Sequence, residues 1–131
     1  MIHHDPLVAR LRAHPKLTAT VFEIGEVPTV NPPDRYVVVQ SAEDQAPTRF
    51  TGPSSTVTSV HNVYCVGQTA KQARQVDDWV KEQLVDYRLT ISGRDVRRPA
   101  EWNSRPVILD RDGPFPLPFG QNIFEITSDP I

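Results

Sequence analysis

This 131-residue chain is poor in several things, and each shortage narrows the reading. One cysteine, Cys65, rules out an internal disulfide and is compatible with an intracellular fold. Charge of one sign is not in surplus: 14 Lys and Arg stand against 16 Asp and Glu, a net −2. Near-neutrality gives no electrostatic argument for nucleic acid or for a membrane surface. No stretch approaches the roughly 18–20 apolar residues of a membrane span. The opening MIHHDPLVARLRAH has no apolar run of the kind a signal peptide needs. A soluble protein made in a cytoplasm is expected. No G-x-S-x-G, P-loop or G-x-G-x-x-G occurs, and no carboxylate pair stands out.

Proline, by contrast, is abundant, at 13 residues. The prolines cluster between patterned segments, which reads as long, stiff connections. The strongest pattern is TAKQARQVDDWVKEQLVDY, Thr69 to Tyr87. Thr69 with Gln72 forms a capping box, and Ala73, Val76, Val80, Leu84 and Tyr87 fall on one helical stripe. Burying Val76, Val80 and Leu84 would contribute roughly 1.5–3 kcal/mol each before entropy is subtracted. A shorter helix is predicted from Asp5-Pro6 to His14-Pro15, with Asp5 as its cap. Strands are predicted over 18–24, 35–40, 56–66, 88–92, 106–110 and 121–128, with 94–105 a short strand and loop. RYVVVQ is apolar on both faces and belongs inside the sheet. Gly93 suits a turn that needs positive φ. The sum is one α+β domain over residues 1–131, a mostly antiparallel sheet covered by one long helix and a short N-terminal one. Residues 41–55 form a long loop that the strand after it carries outward as a hairpin.

Candidate chemistry is sparse. His3, His4, His14 and His61 have no paired ligand spacing and no cysteine partner, so they read as solvated histidines rather than a metal site. Asp110-Arg111-Asp112-Gly113 starts like a calcium loop but lacks the closing Glu, and Asp-Gly is more simply a turn. His61 and Cys65 lie roughly 13 Å apart along one strand and cannot touch, which leaves Cys65 as a buried strand residue. Arg88, Arg94, Arg97, Arg98, Arg105 and Arg111 are interleaved with acids and read as a solvated face rather than a phosphate patch. No catalytic residue, metal or cofactor is expected.

The loops say more. RDGPFPLPFG sets Phe115, Leu117 and Phe119 on a stiff extended segment, a poor arrangement for open water. Either it folds over the core edge or it docks on a partner, with proline lowering the cost of ordering. Phe50 in the 41–55 loop and Trp79 on the flank of the helix stripe are further candidate contacts.

Taken together, DPLVARLRAH, a proline loop before YVVVQ, VTSVHNVYCVGQT running into AKQARQVDDWVKEQL, RLTISGRDV and a closing QNIFEITSD give a recognisable element order. In this order the chain resembles the tail terminator, or tail-to-head joining, proteins of long-tailed bacteriophages. The step from Tyr64 to Leu84 carries the resemblance most strongly. The resemblance implies a non-enzymatic virion protein, six copies of which form a ring on the last ring of the tail tube. It implies a tail-tube protein on one side and a head-side connector or stopper on the other. DNA would pass through the lumen without specific binding, and no membrane or cofactor would be involved. A head-completion or tail-tube component is the nearest alternative. A small nucleic-acid-binding module and a small hydrolase using His61 or the 110–112 turn are the readings from other classes.

Overall fold

A computed structural model describes residues 2–28, 30–43, 56–109 and 117–131. Its elements run α1 (His4–Arg12), β1 (Val21–Glu23), β2 (Arg35–Glu43), β3 (Val57–Gly67), α2 (Ala70–Leu84), β4 (Arg94–Val96), β5 (Ala100–Ile108) and β6 (Phe119–Pro130). The six strands form one sheet in the order β1-β2-β3-β6, with β4 and β5 sharing the outer side of β6. β1 runs parallel to β2, and every other pairing is antiparallel. Both helices lie on one face, so the α+β arrangement expected from the sequence is the fold.

β3 sets the geometry. It pairs with β2 from Gly67 to Ser59 and with β6 from Val57 to Val66, so it has a neighbour on both sides almost throughout. Its odd-numbered side chains, Ser59, His61, Val63 and Cys65, face the helices and are buried. The partners on that face are Val37, Val39 and Ser41 of β2 and Asn122, Phe124, Ile126 and Ser128 of β6. α2 lays Val76, Val80 and Leu84 on the apolar half, all fully buried. α1 adds Leu7, Val8 and Leu11. The helices are bolted together by a reciprocal pair: Arg10 Nε donates to the Gln83 carbonyl (2.9 Å) and Gln83 Nε2 donates to the Arg10 carbonyl (2.8 Å). The Arg10 guanidinium also stacks 3.6 Å from the centre of the Tyr87 ring. The other sheet face has its own small cluster, Tyr36, Val38, Val66 and Phe119, edged by Phe22, Val27, Tyr64 and Leu117.

Half of the predicted capping box forms: Thr69 Oγ1 accepts from the Gln72 N–H (3.2 Å), while Gln72 Oε1 accepts from the Gln68 N–H (3.0 Å) rather than from that of Thr69. Gly93 turns the chain with φ +77. Other boundaries differ from expectation. α1 starts at His4 rather than after an Asp5 cap, and His3 at its N-cap makes no side-chain cap bond. The side chains of His3 and His4 are held by the sheet instead, and that contact fixes the start of the helix. Residues 88–92 form no strand. Leu89 is buried in the main core and Ile91 makes a single bridge to Arg94, so their alternation records packing rather than a ladder. Residues 94–105 hold β4 and most of β5. The last strand starts at Phe119, two residues before the predicted 121, because Phe119 pairs with both Val66 and Ile108. The described arms of the 41–60 hairpin stay within the sheet, and its tip falls outside the described residues.

The join between β3 and α2 is tight. A Cβ on Gly67 would stand 2.5 Å from the Ala73 backbone nitrogen, so α2 would have to shift to admit one. Gly67→Ala is expected to cost about 1–3 kcal/mol, measured as a lower urea midpoint at an unchanged slope.

Candidate functional site

The polar half of the helix-facing sheet surface carries a continuous hydrogen-bonded chain. His4 Nε2 bonds Glu23 Oε1 of β1, and His4 Nδ1 lies 2.6 Å from Ser41 Oγ of β2. Ser41 Oγ lies 2.6 Å from His61 Nδ1, and His61 Nε2 lies 2.7 Å from Ser59 Oγ, both residues on β3. Ser59 Oγ lies 2.5 Å from His3 Nδ1, and His3 Nε2 lies 2.6 Å from Ser128 Oγ of β6. Arg94 of β4 closes the run, with Nε 2.7 Å from Ser128 Oγ and Nη2 2.9 Å from the Ser128 carbonyl. His3, Ser59, His61 and Ser128 are fully buried, and Arg94 is nearly so.

The ends fix the direction of this chain. Arg94 can only donate and the Glu23 carboxylate can only accept. With neutral imidazoles, one assignment serves every bond: Arg94 to Ser128, Ser128 to His3, His3 to Ser59, Ser59 to His61, His61 to Ser41, Ser41 to His4, His4 to Glu23. The hydrogens then sit on Nδ1 of His3, Nδ1 of His61 and Nε2 of His4, tautomers that follow from the network. Every serine both donates and accepts, so no hydroxyl of the run is left unsatisfied.

Burial lowers His61 to about 4, and charge on His3 and His4 pushes it the same way. An unfolded chain takes up this proton near pH 6.5, whereas the folded chain refuses it until about pH 4. The stabilisation is therefore complete above pH 6.5 and lost as pH falls from there toward 4.

Ser41, His4 and Glu23 share the residue types of an acyl-transfer triad, and open clefts flank them. One cleft, of about 640 Å³, is lined by His4, Asp5, Arg12, Glu23 and Glu26 among others. Ser41 Oγ is also bonded on its other side to His61, so one of its two lone pairs is engaged as well as its hydrogen. The arrangement satisfies buried groups rather than presenting a free oxygen. At the apolar end, Asp77 of α2 accepts from Asn122 and pairs with Lys81 (3.2 Å). Burial pushes the Cys65 thiol well up, and the Asp77 charge adds to this, so Cys65 is inert as a nucleophile. No group of three or more His, Cys, Asp or Glu among the described residues is placed to hold a metal ion. No described helix is long and apolar enough to cross a membrane.

The expectation of solvated, scattered histidines is overturned. Three of the four share one network, and His14 reaches Glu82 (3.0 Å) and stacks by Trp79. The readable signal was alternation: Ser59 and His61 continue the same odd-numbered face as Val63 and Cys65. Their partners came from the far ends of the chain, which no local pattern announces. The arginine face divides as well, because Arg94 is buried on Ser128 while Arg97 pairs with Asp129 (3.1 Å).

Of the candidate contact residues, Phe50 and Phe115 lie outside the described residues, as do Asp110 and Arg111. Trp79 is half-buried, its ring 5.8 Å from that of His14 and 5.9 Å from the Arg35 guanidinium. Leu117 is half-buried against the second cluster, and Phe119 is a buried member of it, edge-on to Tyr64. Sequence reasoning missed Ile108 and Leu109, consecutive apolar residues at the end of β5 that are 47% and 58% exposed. It also missed the free side of β2: β1 covers Val37 to Val39, so Gln40 to Glu43 have no strand on that side among the described residues.

No protein-family model matches the chain, and no curated protein matches it.

His61 is expected to contribute about 3 kcal/mol of stability at pH 7 that is absent at pH 4. Urea unfolding at a series of pH values checks this, with His61→Gln expected to flatten the decline between pH 6.5 and 4.

Proposed function

We propose that this protein is a structural, ring-forming subunit of a bacteriophage tail: a tail terminator that caps the tail tube and joins it to the head-side connector. The observation that carries the reading is the exposure of two consecutive apolar residues, Ile108 at the end of β5 and Leu109 just after it, where the chain runs on toward 110–118. Two adjacent large apolar side chains at the mouth of a proline-rich segment are suited to contact with another protein. The outer edge of β5 is itself poorly suited to strand addition. It carries register shifts between Glu101 and Asn103 and between Arg105 and Ile108, and Pro106 lies within the second. The contact therefore belongs to the end of β5 and the segment after it rather than to its backbone edge. A head-to-tail ring uses two different patches on each subunit, and the side of β2 at Gln40 to Glu43, which has no strand on it among the described residues, is a second patch on the opposite edge of the sheet. The element order that resembles tail terminators, the near-neutral charge and the serine–histidine chain built for satisfaction rather than attack are all consistent with a virion component assembled in the host cytoplasm.

Native mass over a concentration series, with negative-stain imaging, tests this reading. Rings of six are expected, alone or on added tail-tube ends. Ile108→Ser with Leu109→Ser is expected to abolish them while changing unfolding free energy by less than about 1 kcal/mol, since both side chains are already exposed. A stable dimer that never forms rings, or rings unaffected by the double substitution, counts against it. Phe119 is unsuitable for the same test, because its burial makes loss of assembly inseparable from loss of fold.

A further inference from the structure

We propose that the histidine–serine chain is a proton-gated latch that holds the first turn of α1 on the sheet and releases it on acidification. The inference rests on connectivity. His3 and His4 are the residues that begin α1, and each is tied through both ring nitrogens to the sheet: His3 to Ser59 and Ser128, His4 to Ser41 and Glu23. From the end of that turn onward the helix is held differently, by Leu7, Val8 and Leu11 in the core and by the Arg10–Gln83 pair. The start of the first turn, whose closing bond is accepted by the His3 carbonyl, thus depends on a polar network, and the rest of the helix does not.

That network has one direction. A proton added to His61 puts an N–H on the nitrogen that now accepts from Ser59. Ser59 must then accept from His61 as well as from His3, and its own hydrogen loses its acceptor. A proton on His3 does the same to Ser128, which already accepts from Arg94. Each added proton therefore buries a charge and breaks a donor–acceptor match. Opening the first turn relieves both, because it carries His3 and His4 into water and lets water reach His61. The charged and titratable groups around His61 oppose its protonation in the closed state. His3 and His4 face it from α1 and Arg94 lies at the far end from β4, while the acids Glu23 and Asp5 lie at the solvent end beside His4. Asp129 of β6 is occupied by Thr56 and Arg97. β2 and β6 contribute Ser41 and Ser128 to the run, neither of which titrates near neutrality.

Amide exchange on the full chain from pH 7 to 4.5, corrected for intrinsic rates, tests the latch. Leu7, whose N–H closes the first turn on the His3 carbonyl (3.1 Å), and Val8 are expected to lose at least about tenfold in protection. Leu11, Ala13 and Val63 are expected to keep theirs. Protection of Leu7 and Val8 that persists to pH 4.5, or that is lost together with that of Val63, overturns the proposal. In His61→Gln, which offers a donor and an acceptor but takes no proton, the loss is expected to move to lower pH; an unchanged profile overturns it. Nitrogen NMR of the wild-type imidazoles gives a measurement that does not depend on that variant folding. His61 is expected to carry hydrogen on Nδ1 alone at pH 7 and to gain its second proton in step with the exposure of Leu7. A second proton gained while Leu7 stays protected overturns the latch.

Discussion

A strand hydrogen-bonded on both sides cannot choose which of its side chains to bury, and the rest of this structure depends on that constraint. β3 is paired with β2 and β6 over nearly its whole length, so its register dictates what the helices must cover. Toward its C-terminal end the covered residues are Val63 and Cys65, and an apolar stripe on α2 suffices. Toward its N-terminal end they are Ser59 and His61, where apolar cover would remove the partners that His3 gives Ser59 and Ser128 and that His4 gives Ser41. α1 meets that demand with two imidazoles rather than with aliphatic groups. β2, β6 and β4 complete it with Ser41, Ser128 and Arg94.

Two kinds of adhesion therefore hold one face of one sheet. The apolar half is held by nondirectional contact between apolar side chains. The polar half requires each donor to meet an acceptor, and it is tied to the protonation state of buried imidazoles. Arg10, Gln83 and Tyr87 join the two helices between these halves. The N-terminal residues of the chain are thus part of the core rather than an appendage.

The proposed role in a ring draws on a different part of the molecule. It uses the two edges of the sheet: exposed Ile108 and Leu109 at one, and at the other the side of β2 that has no strand on it among the described residues. β5 is bulged and carries Pro106, which protects its own edge from uncontrolled strand addition while leaving its end available.

The α+β class, the long helix with its Thr69 cap and Val76–Val80–Leu84 stripe, the interior placement of RYVVVQ and the turn at Gly93 were all legible in the sequence, because each leaves a pattern of residue types within a short stretch. The strand boundaries after Tyr87 were not, because Leu89 and Ile91 alternate for packing and Phe119 joins its strand through partners 53 and 11 residues away, at Val66 and Ile108. The histidine chain was least legible of all. The sequence by itself determined that Ser59 and His61 share the face of Val63 and Cys65. Only the tertiary structure decided that Ser41, Ser128, Arg94 and the first residues of the chain converge on them, because a buried imidazole takes its partners from whatever the fold brings near, and the fold here brings residues as much as 125 positions apart into hydrogen-bonding contact.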